Sequence, residues 1–379
     1  MSDYYFHTAT MKERTFFRKV GKPGYAFYTV KNSQPNWVQK VTDRYIYIRT
    51  QKSSKELKIP RQSLRRAIAF LYFRRIVTLK QLNKIHSFSS ALAAMLKAIM
   101  IDLCKVATTK SGTVRLSLRG LRYFFSGVSR GKDDVRIVKK YGGRFVLLNY
   151  FMIRNDPLES WRTNLLANGF HSKCVFLDPG EKTLYEARQN GKNPKPIDAE
   201  EYAAFVRRHS DLILHYLTID KIGDPEITKR NTVLLEELTG KKPVPVYHIQ
   251  SPLDVLQSLI DEEHEIIAIG GSALRSVSLK KRKQAFDAIF ERFGETANFH
   301  ALGLGSLQFL LNYPWFSADA SSWLNGRIFG KIIALTGDYK TIRSIPPEEA
   351  LGFNVRTYSA LEERYTKLQI DWSMFPQLG

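Results

Sequence analysis

Asp319 stands in a block, Asn298 to Gly330, whose residue types suit chemistry. A strand-like start runs into the small-residue turn His300-Ala301-Leu302-Gly303-Leu304-Gly305. An amphipathic segment follows, and a second short strand delivers the lone carboxylate among Ser, Trp, Asn, Gly and Arg. Three more polar groups, Asp178, Asp220 and His248, fall where other apolar runs end. Carboxylates around a pocket that also holds glycines fit reaction at a glycosidic carbon, whose transition state resembles an oxocarbenium ion. One carboxylate opposes or traps the cation, and another group handles the leaving-group proton. A single polar residue at a strand end is about as often a helix N-cap, and Asp224, just before Pro225, reads as a cap. Four such groups at one mouth are harder to explain that way. His300 reads either as a core histidine bonded to backbone or as part of the pocket. No Ser-His-Asp order or Gly-rich phosphate loop is apparent, and Gly303 with Gly305 makes only half a dinucleotide fingerprint.

Groups at strand ends need a scaffold that gathers strand ends. From Arg144 onward the chain alternates strand and helix patterns. The strands begin at Phe145, Lys173, Leu212, Val244, Glu265 and Phe299, and the last unit ends at Asp319. They are near-continuous apolar runs, as in a parallel sheet buried on both faces. At least seven such units predict an α/β fold of the closed (β/α)8 TIM type over residues 141–379, with the site at its C-terminal face.

The rest of the chain differs in charge. Residues 1–144 hold 31 Lys/Arg and 7 Asp/Glu, whereas residues 145–379 hold 27 and 29. A basic domain over residues 1–140 is therefore expected, and phosphate backbone is the partner that fits it. Tyr25–Val30 and Arg44–Arg49 read as strands. Pro60 opens a helix over Arg61–Arg75, Thr78 caps a second, Ser87 to about Cys104 reads as a third, and Val106–Leu118 reads as a hairpin. Three helices and a basic hairpin, at about 55–125, make an α+β, winged-helix-like order in which a helix enters the major groove. Candidate DNA contacts are Arg65, Arg66, Lys80, Lys84, Lys97, Lys110 and Arg115. The aromatics there alternate with charges and do not form one apolar membrane face, no apolar run is long enough to span a bilayer, and the start has no secretory pattern. A cytoplasmic location follows. Cys104 and Cys174 are too few for a disulfide framework or a Cys-based zinc site, so no metal or cofactor is expected. The oligomeric state is not encoded in any feature above.

The ordered pieces of residues 145–330 resemble the tRNA-guanine transglycosylases, most closely their phage and DNA-acting relatives. Leu177-Asp178 falls where that family has an active-site Asp, and Thr218-Ile219-Asp220 where an Asp reads the base edge. Ala268-Ile269-Gly270-Gly271 falls where two glycines line the base pocket. His300-Ala301-Leu302-Gly303 matches its HALG strand, and Asp319 precedes Asn325-Gly326-Arg327 at nearly the spacing of its nucleophile block. The resemblance implies Asp319 at the sugar cation, Asp178 as general acid/base, and Asp220, Gly270 and Gly271, with His248 and His300, around the base. Two features depart from it. The family's Cys/His zinc site is absent, and Pro179-Gly180-Glu181-Lys182 replaces its Ser-Gly-Gly-Phe, so the base pocket differs. The expected function is excision of a modified base flipped out of double-stranded DNA, a role that would suit defence against phages with modified DNA. Exchange of a base for a 7-deazaguanine in DNA or tRNA is the alternative. A non-catalytic DNA-binding protein with a relict barrel is the alternative of another class.

Overall fold

A computed structural model describes residues 3–363 apart from 21–22, 52, 129–132, 222, 273–276, 334–338 and 342–344. The chain divides into two units, Met1–Arg119 and Gly120–Gly379. The boundary expected at 140/141 therefore moves upstream, because Arg122–Phe125 is a strand of the barrel sheet.

The N-terminal unit starts with α1 (Asp3–Val20), which the sequence reading missed. A four-stranded antiparallel sheet follows in chain order: β1 (Ala26–Tyr28), β2 (Pro35–Val41), β3 (Tyr45–Thr50) and β4 (Ser53–Pro60). Then come α2 (Arg61–Arg74), β5 (Ile76–Thr78), α3 (Leu79–Asn83), α4 (Ser89–Met100), β6 (Cys104–Thr108) and β7 (Val114–Leu118), with β5, β7 and β6 forming a second sheet in that order. Thr78 caps α3 as expected, in a capping box with Gln81. The inward stripe of α1 is Tyr5, Ala9, Glu13, Phe16 and Phe17. Glu13 is fully buried and bound by Arg61 and, at 3.3 Å, by Arg65. Two guanidiniums make that buried carboxylate tolerable.

The third helix of the winged-helix-like order is α4, and its middle is enclosed. Ala91 to Leu96, six consecutive residues of α4, are all buried. Six residues pass more than once around a helix, so no side of this stretch is open. α4 packs against α1, α2, α3 and β1.

The second unit holds the barrel. Its strands are β8 (Arg122–Phe125), β9 (Val146–Asn149), β10 (Val175–Asp178), β11 (Ile213–Tyr216), β12 (Val246–His248), β13 (Ile267–Gly270), β14 (Phe299–Ala301) and β15 (Ser317–Ala320). All neighbouring strands pair in parallel, and β8 pairs with β15. The seam between β11 and β12 closes through a parallel bridge of Leu217 and Val244. The result is an eight-stranded closed parallel sheet, the (β/α)8 arrangement. Connecting helices include α5 (Asp134–Lys140), α6 (Tyr150–Ile153), α7 (Ser160–Ala167), α8 (Glu181–Gln189), α9 (Ala199–Arg208), α10 (Pro225–Thr239), α11 (Leu253–Asp261), α12 (Leu279–Phe293), α13 (Leu307–Asn312), α14 (Asn325–Phe329) and α15 (Pro347–Ser359). Asp224 caps α10 by accepting from the Ile227 N–H at 2.9 Å, as its place before Pro225 suggested.

Several charges away from the barrel mouth are paired. Arg122, at the start of β8 and 2% exposed, donates to Glu362 at 3.0 and 3.1 Å and lies 4.0 Å over the Phe145 ring. Arg144 donates to the same carboxylate. Arg136 and Lys140 on α5 bind Glu348, and these bonds pull its carboxyl down to about 2. Among the described residues no helix is long and apolar enough to cross a membrane.

Candidate active site at the barrel mouth

Side chains two apart on a strand share a face, and this rule builds the buried half of the site. Ser317 and Asp319 on β15 both meet His300 on β14. His300 Nδ1 lies 2.9 Å from Ser317 Oγ, and Nε2 lies 3.3 Å from Asp319 Oδ1. The Gly303 N–H donates to the same Asp319 oxygen at 2.8 Å. His300 is fully buried and Asp319 is 4% exposed. Phe176 and Phe124 pack on the imidazole, with centroids 4.6 and 6.1 Å away. His300 is thus a core histidine, but its bonds run to the Ser317 and Asp319 side chains and not to backbone.

Asp178 is the last residue of β10, opposite Asn149, the last of β9. The Gly180 N–H donates to its Oδ1 at 2.7 Å. Gly180 adopts φ +98°, and a Cβ there would sit 2.4 Å from Asn149 Oδ1 and 2.6 Å from Phe151 Cβ, so only glycine fits the turn. Burial pushes the Asp178 carboxyl up to about 7. Asp319, Asp220 and Glu181 add repulsion in the same direction, against the Gly180 bond. Glu181, the first residue of α8, is raised to about 6 by burial and then by Asp220. The sequence reading gave Glu181 no role. Its only signal was a charged residue directly after a Pro-Gly turn.

Asp220 and His248 form the third element, with Oδ2 and Nε2 2.9 Å apart. His248 ends β12 and Gly270, its register partner, ends β13. His248 Nδ1 is buried and makes no hydrogen bond among the described residues. A Cβ on Gly270 would meet the His248 ring at 3.1 Å, and one on Gly271 (φ +78°) would meet Gln250 Oε1 at 2.2 Å. The room these glycines leave is filled by His248 and Gln250. Those two side chains, with Gly223, Ser251, Lys281 and Gln284, line a cleft of about 840 Å³.

The structure thus gathers Asp178, Asp220, His248, Gly270, Gly271, His300 and Asp319 at the C-terminal ends of the barrel strands. In the other unit, Arg66, Lys80, Lys84, Lys97 and Lys110 are exposed and Arg115 is half-buried on β7. Arg65 is held by Glu13. Ser317 and Gln250 also escaped the sequence reading, although strand alternation from Asp319 would have found Ser317.

No family model matches the chain, and no curated protein matches it. Solved structures similar to it include a 4-hydroxy-2-oxoglutarate aldolase/2-deydro-3-deoxyphosphogluconate aldolase from TTHB1, 14% identical over 64% of this chain and 92% of that one, with a TM-score of 0.35. A mutant tryptophan synthase α-subunit from Pyrococcus furiosus is 14% identical, covering 64% and 97%, at 0.36. A putative fructose-1,6-biphosphate aldolase from Coccidioides immitis is 10% identical, covering 69% and 92%, at 0.39. The resemblance to tRNA-guanine transglycosylases is corrected by these findings: no family model places the chain there, and these solved structures are aldolases and a tryptophan synthase subunit. The closed barrel is defined by its own strand pairing.

Proposed function

We propose that the barrel mouth is an acid/base site that breaks the N-glycosidic bond of a base flipped out of DNA. The observation that carries this reading is the Asp178 carboxyl, pushed up to about 7 in a crowd of other carboxylates. A carboxylic acid that keeps its proton near neutrality can protonate a departing base. Asp319, fixed by Gly303 and His300, presents the carboxylate that opposes the sugar cation. Water then adds at C1′ and returns a proton to Asp178. Divergent tasks for neighbouring carboxyls in unlike environments are a general sign of such chemistry. The Asp220–His248 pair, beside the cleft, faces the polar edge of the base.

Nucleic acid is favoured as substrate by the charge of the N-terminal unit. Residues 1–119 carry 24 Lys/Arg and 5 Asp/Glu. The order α2, β5, α3, α4, β6, β7 and the sheet order β5-β7-β6 support a winged-helix reading of this unit. With the middle of α4 enclosed, the phosphate contacts fall to exposed residues such as Arg66, Lys80, Lys84, Lys97 and Lys110.

The test is incubation of the full chain with duplexes of differing base modification, followed by alkaline cleavage. Strand scission at one type of base supports excision. Intact strands with DNA of altered mass, in the presence of added free base, would convert the reading to exchange. Binding without either change on every substrate ends the catalytic proposal.

A further inference from the structure

The β1–β4 sheet has two faces of opposite character. Its inner face is Phe27, Val38, Ile46, Ile48 and Ile59, each 2% exposed or less. Alternation along the strands puts Tyr28, Trp37, Tyr45 and Tyr47 on the other face, together with the exposed cations Lys40, Arg49 and Lys58. The register sets Trp37 opposite Arg49, and Tyr47 opposite both Lys40 and Lys58. The Arg49 guanidinium lies 5.3 Å from the Trp37 ring centre, and Lys58 Nζ lies 3.8 Å over Tyr45. Tyr45 and Tyr47 are 6.3 Å apart. Glu56, opposite Arg49, is a carboxylate on this face.

Four rings are more than a water-facing sheet face requires, and the cations set among them favour a polyanionic partner. Rings alternating with cations fit bases alternating with phosphates. Every base offers a π-face, so stacking tolerates any sequence, and each stacked base contributes roughly 5- to 150-fold in affinity. The bases of a duplex are already stacked and are not available to such a surface. We propose that this face binds single-stranded nucleic acid, with bases on Trp37 and Tyr47 and phosphates along Lys40, Arg49 and Lys58. Arg49 and Lys58 cover ring faces in the free protein, and their flexible side chains can move to phosphate when a base arrives. The proposal is independent of the reaction at the barrel mouth.

The experiment uses the full chain and two fluorescent probes, an oligothymidylate of about 20 nucleotides and a duplex of the same length. Trp37→Ala combined with Tyr47→Ala should weaken the single strand by at least about 25-fold and the duplex by less than about 3-fold. Trp37→Phe with Tyr47→Phe keeps the ring faces and should stay within about 3-fold of the parent. An equal loss on both probes, or none on the single strand, overturns the proposal. If the alanine pair does not fold, Arg49→Gln with Lys58→Gln takes its place. Removing two phosphate contacts should flatten the single-strand slope of log K against log salt by about 1.4, and an unchanged slope overturns the proposal equally.

Discussion

The two ends of the barrel treat charge in opposite ways. Where β8 begins, Arg122 and Arg144 share Glu362. At the mouth, Asp178, Asp220, Asp319 and Glu181 crowd together in the company of histidines and backbone N–H groups. Among the described residues none of the four forms an ion pair with Lys or Arg. Charges that are matched hold a fold together. Crowding and burial oppose ionisation, and at this end they raise Asp178 to about 7 and Glu181 to about 6, where proton transfer is useful.

Asp178→Asn should have the largest effect. It removes the proton donor and should lower single-turnover cleavage by about 10²–10⁴-fold. In the parent protein the rate should fall as pH rises through about 7, where Asp178 loses its proton. Stability follows the same sign. A carboxyl raised above its unfolded value of about 4 contributes stability that is complete below that pH and lost as pH rises through about 7. Asp178→Asn should therefore raise Tm at pH 8 relative to the parent, and thermal melts at pH 8 and pH 4 check this. A lower Tm at pH 8 would break the contrast between the ends.

Asp319→Asn comes next. Loss of a preorganised charge at C1′ should cost about 10²–10³-fold in rate, with DNA affinity within a few-fold. Near-parental turnover in rapid-quench assays would reassign Asp319 to a structural bond with Gly303.

Glu362→Ala works at the other end and should reverse the pattern. It strips the carboxylate from the buried Arg122 guanidinium, and breaking such a pair costs on the order of 3–5 kcal/mol. Urea titration should show that loss, while the folded fraction cleaves at the parental rate. Glu348→Gln should have the smallest effect. Its low carboxyl contributes stability present above about 4.5 and lost as pH falls toward about 2, yet the pair is exposed and solvent-screened. Melts at neutral pH should barely move, and any difference should vanish in acid.

The sequence made the strand ends legible because buried strands are short apolar runs, and a polar residue closing one stands out. Asp178 and His248 were found at the last positions of β10 and β12 for that reason, and Asp224 by its proline. β8 was hidden because Arg122–Phe125 lies in a basic stretch with no preceding helix, and its partner β15 is distant in sequence. α1 was hidden by Glu13, a charge in the middle of its buried stripe, which makes sense only once Arg61 and Arg65 arrive from α2. Composition likewise could not show that Arg65 is occupied or that the middle of α4 is enclosed. Glu181 gains its meaning from Asp220, a neighbour that only the closed barrel supplies.

That closure also sets a timetable. The hydroxyl of Tyr123, on the first barrel strand, donates to the carbonyl of Ala320, on the last, across 197 residues of chain. Phe124 sits opposite Asp319 in the same ladder. At ribosomal speeds of about 5–20 residues per second, the first strand waits roughly 10–40 s for its partner to be made. Through that interval Tyr123, Phe124 and Phe125 lack their β15 partners. Asp319 is among the last parts to reach its place, so a nascent chain acquires its basic unit long before the barrel mouth is assembled.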